Sequence, residues 1–166
     1  LHTADFLIAS LGDSLPAAAL PAVIFVLAAF TAFSTGSSWG AMGILLPLVL
    51  PLCWAIMGME GMTAGEDYFV LYSSVAGVLA GAVWGDHCSP ISDTTVMSSL
   101  SAGCDHIEHV RTQLPYALLA GAAALGAGTL PTSFGLPWWL GMLAAAAVTA
   151  IGLRLLGAPV EDYRPE

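Results

Sequence analysis

Apolar residues fall in long blocks along this chain, and polar residues are confined to the gaps between them. Pro16–Phe33 is the first apolar run, Ala41–Met59 the second, Tyr68–Trp84 the third, Leu114–Leu130 the fourth and Trp138–Leu156 the fifth. Each is close to the ~20 residues that cross about 30 Å of hydrocarbon as a helix. The pattern predicts an all-α polytopic membrane protein with about five transmembrane segments, two of them interrupted helices or re-entrant hairpins. Residues 1–15 are mixed and predict an interfacial or loop segment. Residues 16–156 are expected to form the transmembrane region, and 157–166 read as a soluble, cytoplasmic tail.

The gaps differ in kind. Ser34–Gly40, STGSSWG, is polar and carries two glycines. Pro16–Met59 is far too long for one crossing at 1.5 Å per residue. It reads as two full helices joined by STGSSWG, or as a re-entrant hairpin with that motif at its tip, and both readings stay open. Glu60–Asp67 is an acidic loop. Trp84–Thr95, WGDHCSPISDTT, interrupts the third run, and Val96–Gly103 resumes a semi-apolar stretch, so that Tyr68–Gly103 is expected to cross once as a broken helix. Cys104–Gln113 is the most polar segment, and Pro131–Pro137 predicts a short turn.

Composition sharpens this picture. Hydrophobic residues make up 57 % of the 166 and charged residues 9 %, against roughly 25 % charged in a soluble domain. The net charge is −9, and the basic residues are Arg111, Arg154 and Arg164. That leaves no polybasic patch for nucleic acid. An antiparallel pair from Leu114 to Leu156 puts all three arginines on one side, the cytoplasm by the positive-inside rule, with the acidic loop opposite. Trp138-Trp139 fits an interfacial anchor. The chain starts at Leu1 with no basic signal-peptide start and is expected to be a fragment. Cys53, Cys88 and Cys104 form no evenly spaced disulfide framework and read as small apolar filler.

The chemistry concentrates in the two interruptions. An Asp at the centre of a membrane helix costs about 2.5–3.5 kcal/mol, and such groups mark sites by default. Asp86 and Asp93 lie in one such stretch, with His87 between them. Pro90 denies the helix a donor, and Gly85 and Pro90 flank an expected break at Asp86–Ser89. A break frees carbonyls that must pack in protein or line a cavity. Those carbonyls, the carboxylates and the hydroxyls of Ser89, Ser92, Thr94 and Thr95 are hard oxygen ligands that suit a small cation such as Na⁺. STGSSWG offers hydroxyls, Thr35 and Ser37 among them, from the other side. Paired interrupted segments are a pointer to a secondary-transporter site.

Plainer readings compete. Ser and Thr can merely satisfy helix backbone, or STGSSWG can be an ordinary loop. His87, Cys88, Cys104, His106 and His109 offer zinc ligands, but match no metal-site spacing. The Ser, His and Asp near residue 87 lack the elbow of a hydrolase, so no enzyme is expected. His106 and His109 read as interfacial, near a pathway mouth, with Asp105 as a helix cap.

GDHCSPISDTTVMSS (Gly85–Ser99) and GCDHIEHVRTQLPYA (Gly103–Ala117) closely resemble the signature region of the NhaC-type Na⁺/H⁺ antiporter family, in the wider ion-transporter superfamily. STGSSWGAMGILLPL (Ser34–Leu48) resembles that family's TGTSWGT-like segment, with Ser37 where Thr is frequent. The resemblance implies one inverted-repeat half of a longer carrier, its C-terminal part, whose missing N-terminal half is a partner. Membrane lipid and a homodimer are further expected partners, and nucleic acid is not. The expected residence is the cytoplasmic (inner) membrane of a prokaryote, and the arginine placement puts the C-terminus in the cytoplasm.

The implied activity is exchange of Na⁺ for H⁺ across that membrane, with no cofactor beyond the transported ions. A carboxylate removed from water holds its proton more tightly, so Na⁺ and H⁺ are expected to compete at shared carboxylates. Asp93 is the first choice and Asp86 the second, both as Na⁺ ligands and proton carriers. Ser89, Ser92, Thr94 and Thr95 are neutral ligands, and Thr35 and Ser37 complete the site. His87 is a candidate pH sensor or relay, though plain hydrogen bonding serves as well. The rival from another class is a Na⁺-coupled or exchange carrier of a small organic acid or amino acid. A non-transporting scaffold is the third reading.

Overall fold

The computed structural model describes Phe6 and residues 15–157. The expectations for 1–15 and 157–166, and for Arg164, fall almost wholly outside them. Within the described residues every regular element is helical.

The first apolar run opens with a 3₁₀ turn, Ala17–Ala19, and continues as α1 (Leu20–Thr35). Gly36 ends it with φ of 65°, a left-handed conformation open to glycine at little cost. Ser37 then caps α2 (Ser38–Met59), its hydroxyl accepting the Gly40 N–H at 3.2 Å. STGSSWG is therefore a tight helix–helix turn. Both helices are long and apolar enough for a full crossing, which favours the first of the two readings of Pro16–Met59. Helix α2 runs on through Pro47 and Pro51.

The open end of this hairpin is tied by the Ala17 N–H, which donates to Glu60 Oε1 at 2.8 Å. Glu60→Ala leaves an orphaned N–H there and is expected to cost about 1 kcal/mol. Thermal unfolding in detergent should show a lower midpoint, with Glu60→Gln keeping most of the loss at bay.

A 3₁₀ turn at Gly65–Asp67 leads into α3 (Tyr68–Cys88), followed by the short α4 (Asp93–Ala102). Next is α5 (His106–Ala123), whose N-cap is Asp105, with Oδ1 accepting the Glu108 N–H at 3.0 Å. The same helical rod continues through a widened π turn, Ala124–Thr129, into α6 (Leu130–Ser133). The turn expected at Pro131–Pro137 is thus shorter. Pro131 sits within this rod just beyond the π turn, and the reversal is made by Phe134–Pro137 with Gly135 at φ 93°. The last helix is α7 (Trp138–Leu156), which opens on the exposed Trp138 and Trp139.

The core lies between α1, α2 and α3. Leu20, Ile24, Ala28 and Ala32 recur every fourth residue on α1 and meet Leu45, Val49 and Ile56 of α2 and Val70, Val78 and Ala82 of α3. Closest of all is the contact of α1 with α3. Gly77, Gly81 and Gly85, a GxxxGxxxG stripe, lie against the carbonyls of Pro21, Phe25 and Ala29 in order, so the two helices run parallel. Small residues at this spacing let backbones approach inside a membrane, where burial from water supplies no drive.

Helix α5 runs back along α3. The Trp84 indole donates to Ala117 O at 2.7 Å and lies over Gly121. Helix α7 then reverses against α5, with Gly152 beside Leu119 and Gly141 beside Gly128. This antiparallel pair puts Arg111 and Arg154 at one end of the bundle and the acidic loop at the other. Phe30, Ile44, Val83, Leu118 and Leu143 are exposed on the outer faces. Five spans with apolar exteriors make a multi-pass membrane protein.

Candidate ion-binding site at the helix break

Helix α3 does not break where Gly85 suggested. Asp86, His87 and Cys88 remain helical, and the unwound stretch is Ser89–Ser92. Proline excludes its predecessor from the helical region, and Ser89 is accordingly extended, with ψ of 129°. Gly85 serves packing on Ala29 instead. Since Tyr68–Cys88 measures about 32 Å at 1.5 Å per residue, the break stands at an end of the bundle, the one that carries Arg111.

The two interruptions meet. Ser89 Oγ donates to Phe33 O at 2.7 Å, joining the break to the last turn of α1. A methyl added at Gly36 would lie 2.8 Å from Ile91 O. Gly36 thus answers two demands, a positive φ and a close approach to the break. Gly36→Ala is expected to push Ile91 away and to lower both thermal stability and exchange severalfold. An unchanged melting midpoint would count against that contact.

Asp86 is the anomaly within this frame. It is 6 % exposed, and its Oδ1 is fully buried with no hydrogen-bond partner among the described residues. Its Oδ2 receives a long 3.5 Å bond from Thr94 Oγ1, which lies 2.8 Å from Ser92 Oγ. The order Ser92 to Thr94 to Asp86 satisfies each hydroxyl hydrogen in turn. Asp86 also occupies the C-terminal turn of α3, where aligned peptide dipoles already give a negative potential. A carboxylate there adds to that potential, and a cation relieves it.

Asp93 is the opposite case. It is exposed, in the first turn of α4, and its Oδ1 accepts the Thr94 N–H at 2.8 Å. An acid at a helix N-terminus is in its favoured place. The first-ranked carboxylate of the sequence reading therefore faces outward, and the second is buried.

The other candidates divide. Thr94 reaches Asp86, and Ser92 is bonded to Thr94. Ser89 ties α1 to the break. Thr95 is buried and its hydroxyl approaches His87 O at 3.5 Å. Thr35 Oγ1 bonds back to Thr31 O at 2.9 Å, and Ser37 is the cap of α2, so both satisfy backbone. Neither is hydrogen-bonded to a carboxylate among the described residues. The His87 residue is exposed, and its carbonyl is the engaged part. Among the described residues no three His, Cys, Asp or Glu side chains gather as a metal-ligand group.

Sequence reasoning passed over Gln113, whose Nε2 donates to His87 O at 2.7 Å. The signal was present: a lone amide at the threshold of the fourth apolar run. It also left His106 as interfacial, whereas its ring bridges Pro90 O at 2.7 Å and Ser99 Oγ at 3.0 Å.

A protein of Haemophilus influenzae of uncharacterized function is 41 % identical over 94 % of this chain and 27 % of its own length. A second protein of that organism, named as an uncharacterized Na⁺/H⁺ antiporter, is 35 % identical over 57 % of this chain and 19 % of its own. The malate-2H⁺/Na⁺-lactate antiporter of Bacillus subtilis is 32 % identical over 54 % of this chain and 17 % of its own. The chain thus spans about a quarter or less of these relatives. No solved structure matches it. The model of the Na⁺/H⁺ antiporter family matches residues 1–130, which include α1 to α5 and the whole of the break. The chain belongs to the Na⁺/H⁺ antiporter family.

Proposed function

We propose that this chain supplies an ion site to a secondary active transporter that exchanges Na⁺ for H⁺, and that Asp86 is the group the two ions share. The observation that carries the reading is the buried, unpartnered Asp86 Oδ1 at the C-terminal turn of α3. A buried acceptor without a donor is costly in a protein interior. Either a proton or a Na⁺ at this carboxylate removes that cost, and the two exclude each other by charge. Oδ1 and Oδ2 of Asp86, Thr94 Oγ1 and Ser92 Oγ supply hard oxygens for Na⁺. Thr94 is exposed and leads out from the buried carboxylate, with Asp93 beside it as an outer acid. This assignment gives Asp86 the first role and Asp93 the second.

Charge placement supports an orientation. Arg111 and Arg154 stand at the end of the bundle that holds the break, and the positive-inside rule puts that end in the cytoplasm of a prokaryotic cell. The site then opens inward. The length of the relatives supports a longer carrier in which this chain is one repeat half. Exchange at the other face is then the work of the remainder.

A second reading keeps the site and adds a solute. The Bacillus subtilis relative is named for malate and lactate as well as for its ions, so a small organic acid is the rival cargo. Everted vesicles from a host without its own antiporters separate the two. With a respiratory ΔpH imposed on vesicles holding the full-length carrier, NaCl alone is expected to dequench a pH-sensitive dye. A response that appears only when malate, lactate or an amino acid is added with Na⁺ would replace ion exchange with solute exchange.

A further inference from the structure

Two carbonyls at the break, His87 O and Pro90 O, are held by side chains. A helix leaves its last four carbonyls without backbone donors, and α3 ends against a segment whose proline has no N–H to offer. Two side chains of α5 fill the deficit from outside. Gln113 Nε2 donates to His87 O at 2.7 Å on the helical side of the break, and the His106 ring meets Pro90 O at 2.7 Å within it. A carbonyl only accepts, so Nε2 of His106 carries the hydrogen. The other ring nitrogen lies 3.0 Å from Ser99 Oγ, on the buried hydroxyl face of α4 that also presents Ser92 and Thr95. His106 therefore bridges the break to α4, and Gln113 holds the end of α3, both from one rigid helix.

We infer that α5 is a two-point clamp on the broken segment, and that His106 and Gln113 are positioning residues that set cation affinity at Asp86 without touching the ion. The inference rests on the proposed ion site. Asp86 belongs to α3, its partner Thr94 to α4, and Ser92, which bonds Thr94, to the break, so their separation is fixed by the path of Ser89–Ser92. The clamp fixes that path at His87, Pro90 and Ser99. It also keeps His87 O and Pro90 O engaged by side-chain donors, so that neither is free to ligate the cation. Without the clamp, Thr94 swings away from Asp86 and the site loosens.

Two readouts test this in the full-length carrier. The first is the Na⁺ concentration that half-saturates exchange, set against the maximal rate. The second is the labelling rate of the buried Cys88, beside the break, by a maleimide, read by mass spectrometry of its peptide. The variants are Gln113→Met, which keeps the length and loses the donor without adding charge, His106→Ala, and His106→Gln, whose amide reaches where Nε2 stood. Gln113→Met and His106→Ala are expected to raise half-saturation roughly tenfold, leave the maximal rate within about twofold, and speed Cys88 labelling. His106→Gln is expected to restore most of both. Arg111→Gln, on the exposed side of α5, should change neither. Cys88 labelling unaltered in both clamp variants overturns the inference, as does a fall in maximal rate with half-saturation unmoved. A wild-type carrier that shows no Na⁺ response overturns the ion-exchange reading instead, and the labelling rates still decide whether the clamp exists.

Discussion

Asp86→Asn is expected to abolish sodium-dependent proton exchange, and Asp93→Asn only to weaken it. The amide keeps the shape of the carboxylate, so the fold survives and the ion chemistry goes. Asn can neither carry the exchanged proton nor neutralise Na⁺. Removing one charge of a buried pair typically costs at least ~2 kcal/mol, so apparent Na⁺ affinity should fall by about thirtyfold or more. Asp93 is placed differently. It is exposed and accepts the N–H of the next residue at 2.8 Å. Its loss removes a favourable charge at the start of α4 and an acid near the entrance, for an expected severalfold drop. Dye dequenching at matched expression checks both. The reverse order, with Asp93→Asn dead and Asp86→Asn active, would move the site outward.

Gly85→Ala is expected to be the most damaging substitution in the bundle. The added methyl falls well inside van der Waals distance of the Ala29 carbonyl oxygen, and both partners are backbone. A carbon seldom approaches such an oxygen closer than about 3.3 Å, so α1 and α3 must separate by more than about 1 Å. Gly81 against Phe25 O and Gly77 against Pro21 O then part as well. Overpacking of this kind costs about 1–3 kcal/mol or more. The damage extends to the site, because separation strains the 2.7 Å bond from Ser89 Oγ to Phe33 O and the contact of Gly36 with Ile91. Detergent melting should fall sharply. Adding Ala29→Gly should not rescue it, since the obstructing atom is a carbonyl oxygen that glycine also carries. Rescue by that second substitution would show that a side chain was the obstacle.

Much of the fold was legible because membrane helices announce themselves by length and apolarity. The five runs became five spans, and Asp105 became the cap it resembled. The antiparallel pair holding Arg111 and Arg154 also followed from short connections. The position of the break was misjudged by one turn. Gly85 was read as a breaker, yet inside a membrane helix glycine as often serves close packing, and only the partner carbonyl of Ala29 reveals which. Pro90 held the better signal, since its effect falls on Ser89, the residue before it.

The polar residues at the break were legible as a cluster, and their burial was not. Both aspartates were singled out, but no periodicity tells which carboxylate is buried and which begins a helix. That depends on Ser92 becoming an N-cap position and on α4 turning its hydroxyls inward. The meeting of Gly36 with Ile91, and of Gln113 with His87, joins segments far apart in the chain, so local pattern carries neither.

The most direct test of ion sharing at Asp86 is proton release. Purified full-length carrier in weakly buffered detergent is given NaCl, and the pH of the medium is followed with an indicator dye. Wild-type protein is expected to release protons as Na⁺ binds, with choline chloride giving none, and Asp86→Asn is expected to release none with either salt. Release that persists in Asp86→Asn would contradict the assignment and place the shared carboxylate elsewhere in the carrier.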